Sequence, residues 1–501
     1  MTTVGVDEVI SHARQRFEEQ LIVAGFTNRE GNWHGVVARG AGTVEIIVRL
    51  PPKFPFAPPR VQPASEDDAP WSWHRERGGA LCIVAEDDHE SLWWADAPSV
   101  LAKAEAWFSE ADADWKNDRP DLDLDRYFES SNDTRIYIYG EFAQLRNSTV
   151  RLADGDHDTV LLAVGPSSPA GLPTKKVNSK APAKPKSRYA YIADIGTIGS
   201  PPRTWDDVAA LAGLAEDTLQ RIRGGAITAL GLIYDRGGHE GLILLSVVPD
   251  DDGSIKAARL LSAANTEAAK QARSGPHARD ISGRSVAIVG VGALGSFVAD
   301  AMARSGVGHV TLVDNDSLLP GNLVRHLASS RSVGHAKVEA MRLELAVEDR
   351  MPIENIKVSM CDARDIAFAL ELLTDHDLVI NATADFAVTA ALRTAAEATG
   401  RTFVSAALQN AGDTVRIDLL PPLNGAASLP SSSRRPEPNV PDVFEPGCGS
   451  PVSPTAPYAV LEAAGLTARH AIGLLVGRPV DPAGEIREIG LGPEAGEISA
   501  R

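Results

Sequence analysis

The sequence has only three cysteines in 501 residues. That is too few for a disulfide framework, and no Cys-x-x-Cys pair exists to seat a structural zinc. Positive charge is also short. There are 49 basic and 67 acidic residues, a net charge of −18. This excludes a broad basic field for gripping nucleic acid, although a local basic groove stays compatible with it. No uninterrupted apolar run approaches the ~20 residues of a membrane span, so no membrane partner is expected. Asp7 and Glu8 come before any apolar run, and the N-terminus does not read as a signal peptide. A cytoplasmic protein is expected. Hydrophobic residues reach 44% and charged residues 23%, the mix of a soluble globular chain. At roughly 150 residues per domain, the length suggests about three domains.

Residues 7–24 set Val9, Ile10, Ala13, Phe17, Leu21 and Ile22 at helical spacing behind Asp7. Two strand-like runs follow, WHGVVAR and TVEIIVRL, across a turn-like GAG. Val44, Ile46 and Val48 share one face. A Pro-rich corner, LPPKFPFAPPRV, leads to a loop with Cys82 and then a helix-like run from Pro98 to Trp115. Residues 1–130 therefore read as an α+β domain. A middle domain, 131–275, holds strand-like runs such as TVLLAV and GLILLSVV but no visible chemistry. It reads as a connecting or dimer-forming region. Within it, residues 166–188 are rich in Pro, Ser and Lys and read as a flexible loop. From 276 to 501 strands and helices alternate: SVAIVG, a helix from Ala293 to Ser305, HVTLVD, a second helix, then NIKVSM and DLVINAT. That rhythm predicts a parallel sheet covered on both faces, an α/β domain. A Pro/Ser-rich loop at 422–457 interrupts it and carries Cys448. A loop that long inside a domain is either functional or disordered.

Gly290-Val291-Gly292-Ala293-Leu294-Gly295 follows the strand SVAIV and opens a helix. In that context glycines let backbone N–H groups approach a phosphate at the positive helix end. Asp314 ends the next strand, nineteen residues after Gly295, where a carboxylate can accept from ribose hydroxyls. Asp316, Asn322, Arg325, His326, Gly334 and Lys337 follow. The cations Arg325 and Lys337 suit a triphosphate with Mg²⁺ and have no use beside a nicotinamide, which argues against an NAD oxidoreductase.

The run VGVGALGSFVADAMARSGVGHVTLVDNDSLLPGNLVRHLASSRSVGHAKVEA resembles the adenylation core of ubiquitin-activating enzymes and of the bacterial enzymes that activate sulfur-carrier proteins. The shared features are the glycine fingerprint, Asp-x-Asp, Asn-Leu-x-Arg and Gly-x-x-Lys. The resemblance implies ATP and Mg²⁺ as cofactors. Asp314 would hold the ribose, Asn322, Arg325 and Lys337 the phosphates, and Asp316 would sit near the metal or phosphates. An arginine just before the core often completes such a site; Arg273 and Arg279 are the candidates. The family's Thr-Asp-Asn triplet reads Thr383-Ala384-Asp385 here, which leaves Asp385, one residue late, as the metal candidate. The family's zinc cysteines are missing. Cys361 reads as a strand-end residue near the pocket wall.

Phe54-Pro55-Phe56-Ala57-Pro58-Pro59, then Cys82, then Trp93 eleven residues on, resembles a ubiquitin-conjugating enzyme over residues 5–130. That likeness makes Cys82 an acyl-accepting thiol near Trp71, Trp73 and His74. The family's His-Pro-Asn triplet is absent. His74 stands where its oxyanion-supporting Asn would be, and a His there could donate a hydrogen bond or act as a base. Cys448, in Pro446-Gly447-Cys448-Gly449-Ser450-Pro451, matches the thioester cysteine that activating enzymes keep outside the nucleotide pocket.

Together these resemblances imply a fused activating and conjugating enzyme, similar to those of bacterial anti-phage operons. A protein C-terminal carboxylate, expected on Gly, would be adenylated, passed to Cys448 and Cys82, and joined to a target lysine. The carrier would be a ubiquitin-like protein or a cGAS-like nucleotidyltransferase, and the adenylation domain would form a homodimer. Two rivals stay open. One is a sulfur-carrier adenylyltransferase whose N-terminal domain only docks. The other is a non-catalytic sensor of nucleotide and partner.

Overall fold

The computed structural model of the chain describes residues 6–84, 92–116, 120–163, 188–431 and 454–490. Cys448 and nearly all of the 166–188 loop lie outside them. The chain divides into two compact units, Met1–Thr266 and Glu267–Arg501. Three sheets follow the three regions read from the sequence, with the first two sharing one unit.

In the first unit the helix Val6–Val23 precedes an antiparallel meander of Thr27–Arg29, Asn32–Arg39, Gly42–Arg49 and Arg60–Pro63. The Gly42–Arg49 strand alternates as its sequence demands, so Val44, Ile46 and Val48 are buried. They pack with Phe17, Leu21 and Phe54 and with Val100, Ala104 and Phe108 of the helix Ala97–Asp112. Asp96 caps that helix by accepting from the Ser99 N–H.

The eight-stranded middle sheet is mixed, and its interior strands Ile227–Asp235 and Glu240–Pro249 are largely apolar. Trp73, Leu124 and Tyr127 share one core with Ile198, Val208 and Leu232. The indoles of Trp71 and Trp73 donate to the carbonyls of Pro201 and Ile198. The sequence boundary at 130/131 therefore separates two sheets inside one compact unit.

The second unit is a seven-stranded sheet. Ile356–Ser359, His309–Val313, Ser285–Val289, Leu378–Asn381 and Phe403–Gln409 run parallel in that spatial order; Thr414–Leu420 and Gly484–Glu488 complete it antiparallel. Ala293–Arg304, Lys337–Val347 and Pro457–Leu475 contribute to one core, Ile366–Asp375 and Phe386–Thr399 to the other. Ser285–Val289 is central, and the chain order reverses beside it. The crevice at that strand's carboxyl end is the expected place for a ligand. No helix among the described residues is long and apolar enough to cross a membrane.

Arg75 is the largest fully buried side chain among the described residues. Its guanidinium donates to the Gly79 and Ala69 carbonyls and faces Glu66 at 3.5 Å. Burial pushes it below its ordinary pKa, with Glu66 opposing. Arg75→Met would leave those carbonyls unpaired, a loss of roughly 1–3 kcal/mol. Denaturant unfolding followed by tryptophan fluorescence should show it; an unchanged midpoint would mean that the guanidinium is not what braces this loop.

Candidate functional site

The crevice holds an open pocket of about 490 Å³. Gly290 enters it at φ +86, a conformation that side chains avoid. A Cβ on Gly295 would stand 1.8 Å from the Gly290 carbonyl oxygen, so helix Ala293–Arg304 can cross the turn only as glycine. Around Gly292 nothing lies within 4 Å of a would-be Cβ, so the pocket stays open there. The first N–H groups of the helix, which have no intrahelical acceptor, face this end. This is a cradle that side chains would fill, and it fits a phosphate chain.

Asp314 ties the turn to the neighbouring strand. It accepts from the Val291 N–H at 2.7 Å and the Asp316 N–H at 2.8 Å. Lys337 is 12% exposed and donates to Asp316 Oδ2 at 2.7 Å. Arg325 Nη1 donates to the Thr455 carbonyl at 3.1 Å. Gly290, Gly292, Asp314, Asp316, Arg325, Lys337 and Asp385 all line the pocket. Asn322 does not. Its side-chain oxygen accepts from the Leu319 N–H and closes the turn that presents Arg325. Arg273 and Arg279 are not among the lining residues either.

Asp385 caps the helix Phe386–Thr399, accepting from the Ala387 and Val388 N–H groups. Its other oxygen takes Arg364 Nη2 at 2.6 Å. That guanidinium and the cap bonds hold its carboxyl below the usual range. Ala384 beside it has φ 54, unusual for a residue with a side chain. Among the described residues no group of three or more His, Cys, Asp or Glu could hold a metal alone. Mg²⁺ commonly binds through one or two carboxylates plus substrate phosphates, and Asp316 and Asp385 could supply that share.

The sequence reading passed over Arg364 and Asp362, which line the pocket with Cys361. The available signal was position: CDARD follows a parallel strand at its carboxyl end. Cys361 is exposed, at the strand end where the sequence put it.

In the first unit Cys82 closes a tight hairpin. Its N–H donates to the His74 carbonyl at 3.0 Å, Arg75 bridges Leu81, and the Leu81 N–H donates to Val61. His74 meets Cys82 through its backbone, while its ring stacks flat on Trp115 at 3.4 Å. Cys82 is partly exposed, and Arg126 Nη2 lies 3.1 Å from its sulfur. Burial pushes the Glu76 carboxyl on the same hairpin up, with Arg60 and Arg126 opposing. Nothing in the sequence pointed to Arg126.

The profile described as "ThiF family" matches residues 267–491. The chain is similar to the "ATP-dependent ubiquitin transferase-like protein Cap2" of Enterobacter hormaechei subsp. hoffmannii, 32% identical over 152 residues, 28% of this chain and 24% of that protein. It is similar to the molybdopterin-synthase adenylyltransferase of Escherichia coli, 37% identical over 105 residues, 21% of this chain and 41% of that protein. It also resembles the tRNA threonylcarbamoyladenosine dehydratase of Bacillus subtilis, 48% identical over 62 residues, 12% of this chain and 24% of that protein. Each match spans less than half of the relative's length.

His326 locks the glycine turn from behind. It is buried, its Nδ1 accepts from the Ala328 N–H, and its Nε2–H therefore donates to the Val291 carbonyl at 2.8 Å. Burial lowers its pKa from the ordinary 6.5, with Lys337 adding to the shift and Asp314 and the Val291 bond opposing it. The unfolded chain thus takes the proton first as pH falls. The contribution is complete above pH 6.5 and is lost as pH drops through the lower folded value. Melting temperatures from pH 8 to 5 should fall less steeply in His326→Gln than in the natural chain. Equal slopes would remove His326 from the pH response.

Proposed function

We propose that the second unit adenylates a protein C-terminal carboxylate with ATP and Mg²⁺, and that the chain relays the acyl group through thioesters to a target amine. The observation that carries this reading is the meeting of Arg325 and Lys337 with Gly290, Gly292 and Asp314 in one pocket. A dinucleotide site needs the glycines and the carboxylate but has no task for the two cations. In the proposed reaction a carboxylate oxygen bonds to the α-phosphorus and pyrophosphate leaves. Lys337 and Arg325 would offset the charge that develops on the phosphate oxygens. Asp314 would orient the ribose. Mg²⁺, when bound, would neutralise charge on the phosphates.

The relay assigns Cys448 as the first acceptor and Cys82 as the second. Arg325 grips the carbonyl of Thr455, seven positions after Cys448 in sequence. Cys82 is a partly exposed thiol in the unit whose order of helix, meander, loop and helix matches the conjugating-enzyme reading. Joining both thiols in one chain raises the effective concentration of the second. The carrier would be a ubiquitin-like protein or a cGAS-like nucleotidyltransferase ending in Gly, the target a protein lysine, and the enzyme a cytoplasmic homodimer. The likeness to a molybdopterin-synthase adenylyltransferase favours a second reading, a sulfur-carrier adenylyltransferase whose first unit only docks.

Lys337→Ala should reduce carrier-dependent ATP–pyrophosphate exchange at least 10²-fold while leaving the melting temperature within a few degrees. Unchanged exchange would remove Lys337 from the chemistry.

Cys448→Ala should still form adenylate, yet charge neither thiol. Cys82→Ala should form adenylate and one reducible adduct on Cys448, and no conjugate. Reducing and non-reducing gels separate thioesters from amides. Normal charging of Cys82 in Cys448→Ala would mean direct transfer from adenylate to Cys82. Full activity of Cys82→Ala would favour the docking reading.

A further inference from the structure

We infer that Arg126 is a catalytic residue of the Cys82 site, and that the middle sheet serves to hold it against the sulfur. The inference rests on the proposed role of Cys82 as an acyl acceptor. Arg126 lies outside every motif of the sequence, forty-four positions from Cys82, yet its Nη2 donates to Sγ at 3.1 Å. A guanidinium at that distance, only 22% exposed, compensates negative charge on the sulfur.

The placement of Arg126 is fixed on all sides. It sits in the short turn Leu124–Tyr127. The Leu124 N–H donates to the Tyr234 hydroxyl at 3.1 Å, and Tyr234 belongs to the interior strand Ile227–Asp235 of the middle sheet. Asp125 takes Arg259 of the strand Ile255–Leu260 at 3.2 Å. Tyr127 is buried, and its hydroxyl donates to the Trp73 carbonyl, one residue before His74. Two strands of the middle sheet and the base of the Cys82 hairpin thus clamp the residues on both sides of Arg126. A middle region without motifs of its own gains a task.

The charge matters twice in a transfer cycle. In charging, Cys82 Sγ attacks the carbonyl carbon of a donor thioester. The new C–S bond forms, the donor C–S bond breaks, and the donor sulfur leaves as thiolate. In discharge, the target amine forms a C–N bond, Sγ departs with the electron pair, and the amine's surplus proton passes to water. Arg126 would steady the sulfur's negative charge before the first step and after the second. His74, with its ring stacked on Trp115, supplies the backbone carbonyl that fixes Cys82.

The test is peptide-resolved iodoacetamide labelling of the full chain at pH 7, with exposed Cys361 as internal reference. Arg126→Ala should slow labelling of Cys82 roughly ten- to hundredfold and leave Cys361 unchanged. Arg126→Lys keeps a cation without the fork and should recover part of the rate. Tyr234→Phe, which removes the acceptor for Leu124, should slow Cys82 by a smaller factor and serves if the alanine variant does not fold. Labelling within twofold of the natural chain in a folded Arg126→Ala would overturn the proposal. Failure of the relay itself would appear separately, as a natural chain that labels fast at Cys82 and never becomes charged from ATP. Charging of Cys82 at the natural rate in Arg126→Ala would also overturn the assignment.

Discussion

One close approach governs the second unit: the crossing of Gly295 over the Gly290 carbonyl. A single added carbon there would overlap the oxygen at 1.8 Å. With glycine in place, helix Ala293–Arg304 starts directly above the carboxyl end of the central strand. Its free N–H groups then converge on the crevice. Two further groups depend on that turn holding its shape. Asp314 grips it from the next strand through the Val291 N–H, and His326 grips it from below through the Val291 carbonyl. Val291 is thus pinned at both its donor and its acceptor. The run Asp314 to Lys337 therefore builds the pocket and also supports its floor.

The first unit solves a different problem with the same economy of backbone. In the proposed relay the thiol would have to be held still while staying reachable. Cys82 is held by its own N–H on His74 and by its neighbour Leu81 on Val61, and its thiol is partly exposed. The hairpin behind it is braced by a buried arginine, Arg75, whose nitrogens satisfy carbonyls that would otherwise be orphaned. A second arginine, Arg126, reaches the sulfur from a turn anchored elsewhere. Arg75 acts within its own loop, whereas the reach of Arg126 across forty-four positions is geometry that no local spacing encodes.

That contrast explains how much was legible. The glycine turn and Asp314 were readable because a βαβ unit imposes fixed spacing between strand, turn and helix, while Arg325 and Lys337 were placed by the resemblance to the adenylation family. The alternation of Val44, Ile46 and Val48 predicted their burial because a strand turns successive side chains to opposite faces. Asn322 was legible as part of a motif, but its side chain turned inward to close a turn, which spacing cannot reveal. The stack of the His74 ring on Trp115 is a long-range contact, which spacing does not reveal either. Arg126, Arg364 and the joining of the first two sheets into one unit arise from tertiary contacts between distant segments. The sequence offers no period or motif for those.

The charge balance of the pocket sets a last constraint on the proposed reaction. Asp314, Asp316, Asp362 and Asp385 face Arg325, Lys337 and Arg364 around one cavity. Two of these cations are already matched: Lys337 to Asp316 and Arg364 to Asp385. Arg325 is held by a neutral carbonyl, so its charge stays available to a phosphate. Lys337 would have to turn from Asp316 to meet a phosphate beside Arg325, and the carboxylate excess in the lining leaves further charge to be balanced. Asp385 does not relieve it. One of its oxygens caps a helix and the other meets Arg364, so a metal would have to compete with a guanidinium for it. In a family resemblance that expects an Asp at position 384, the shift by one residue moves the carboxylate from the loop into the helix cap. In the proposed reaction a divalent cation would supply the missing positive charge, with Asp316 better placed than Asp385 to help hold it.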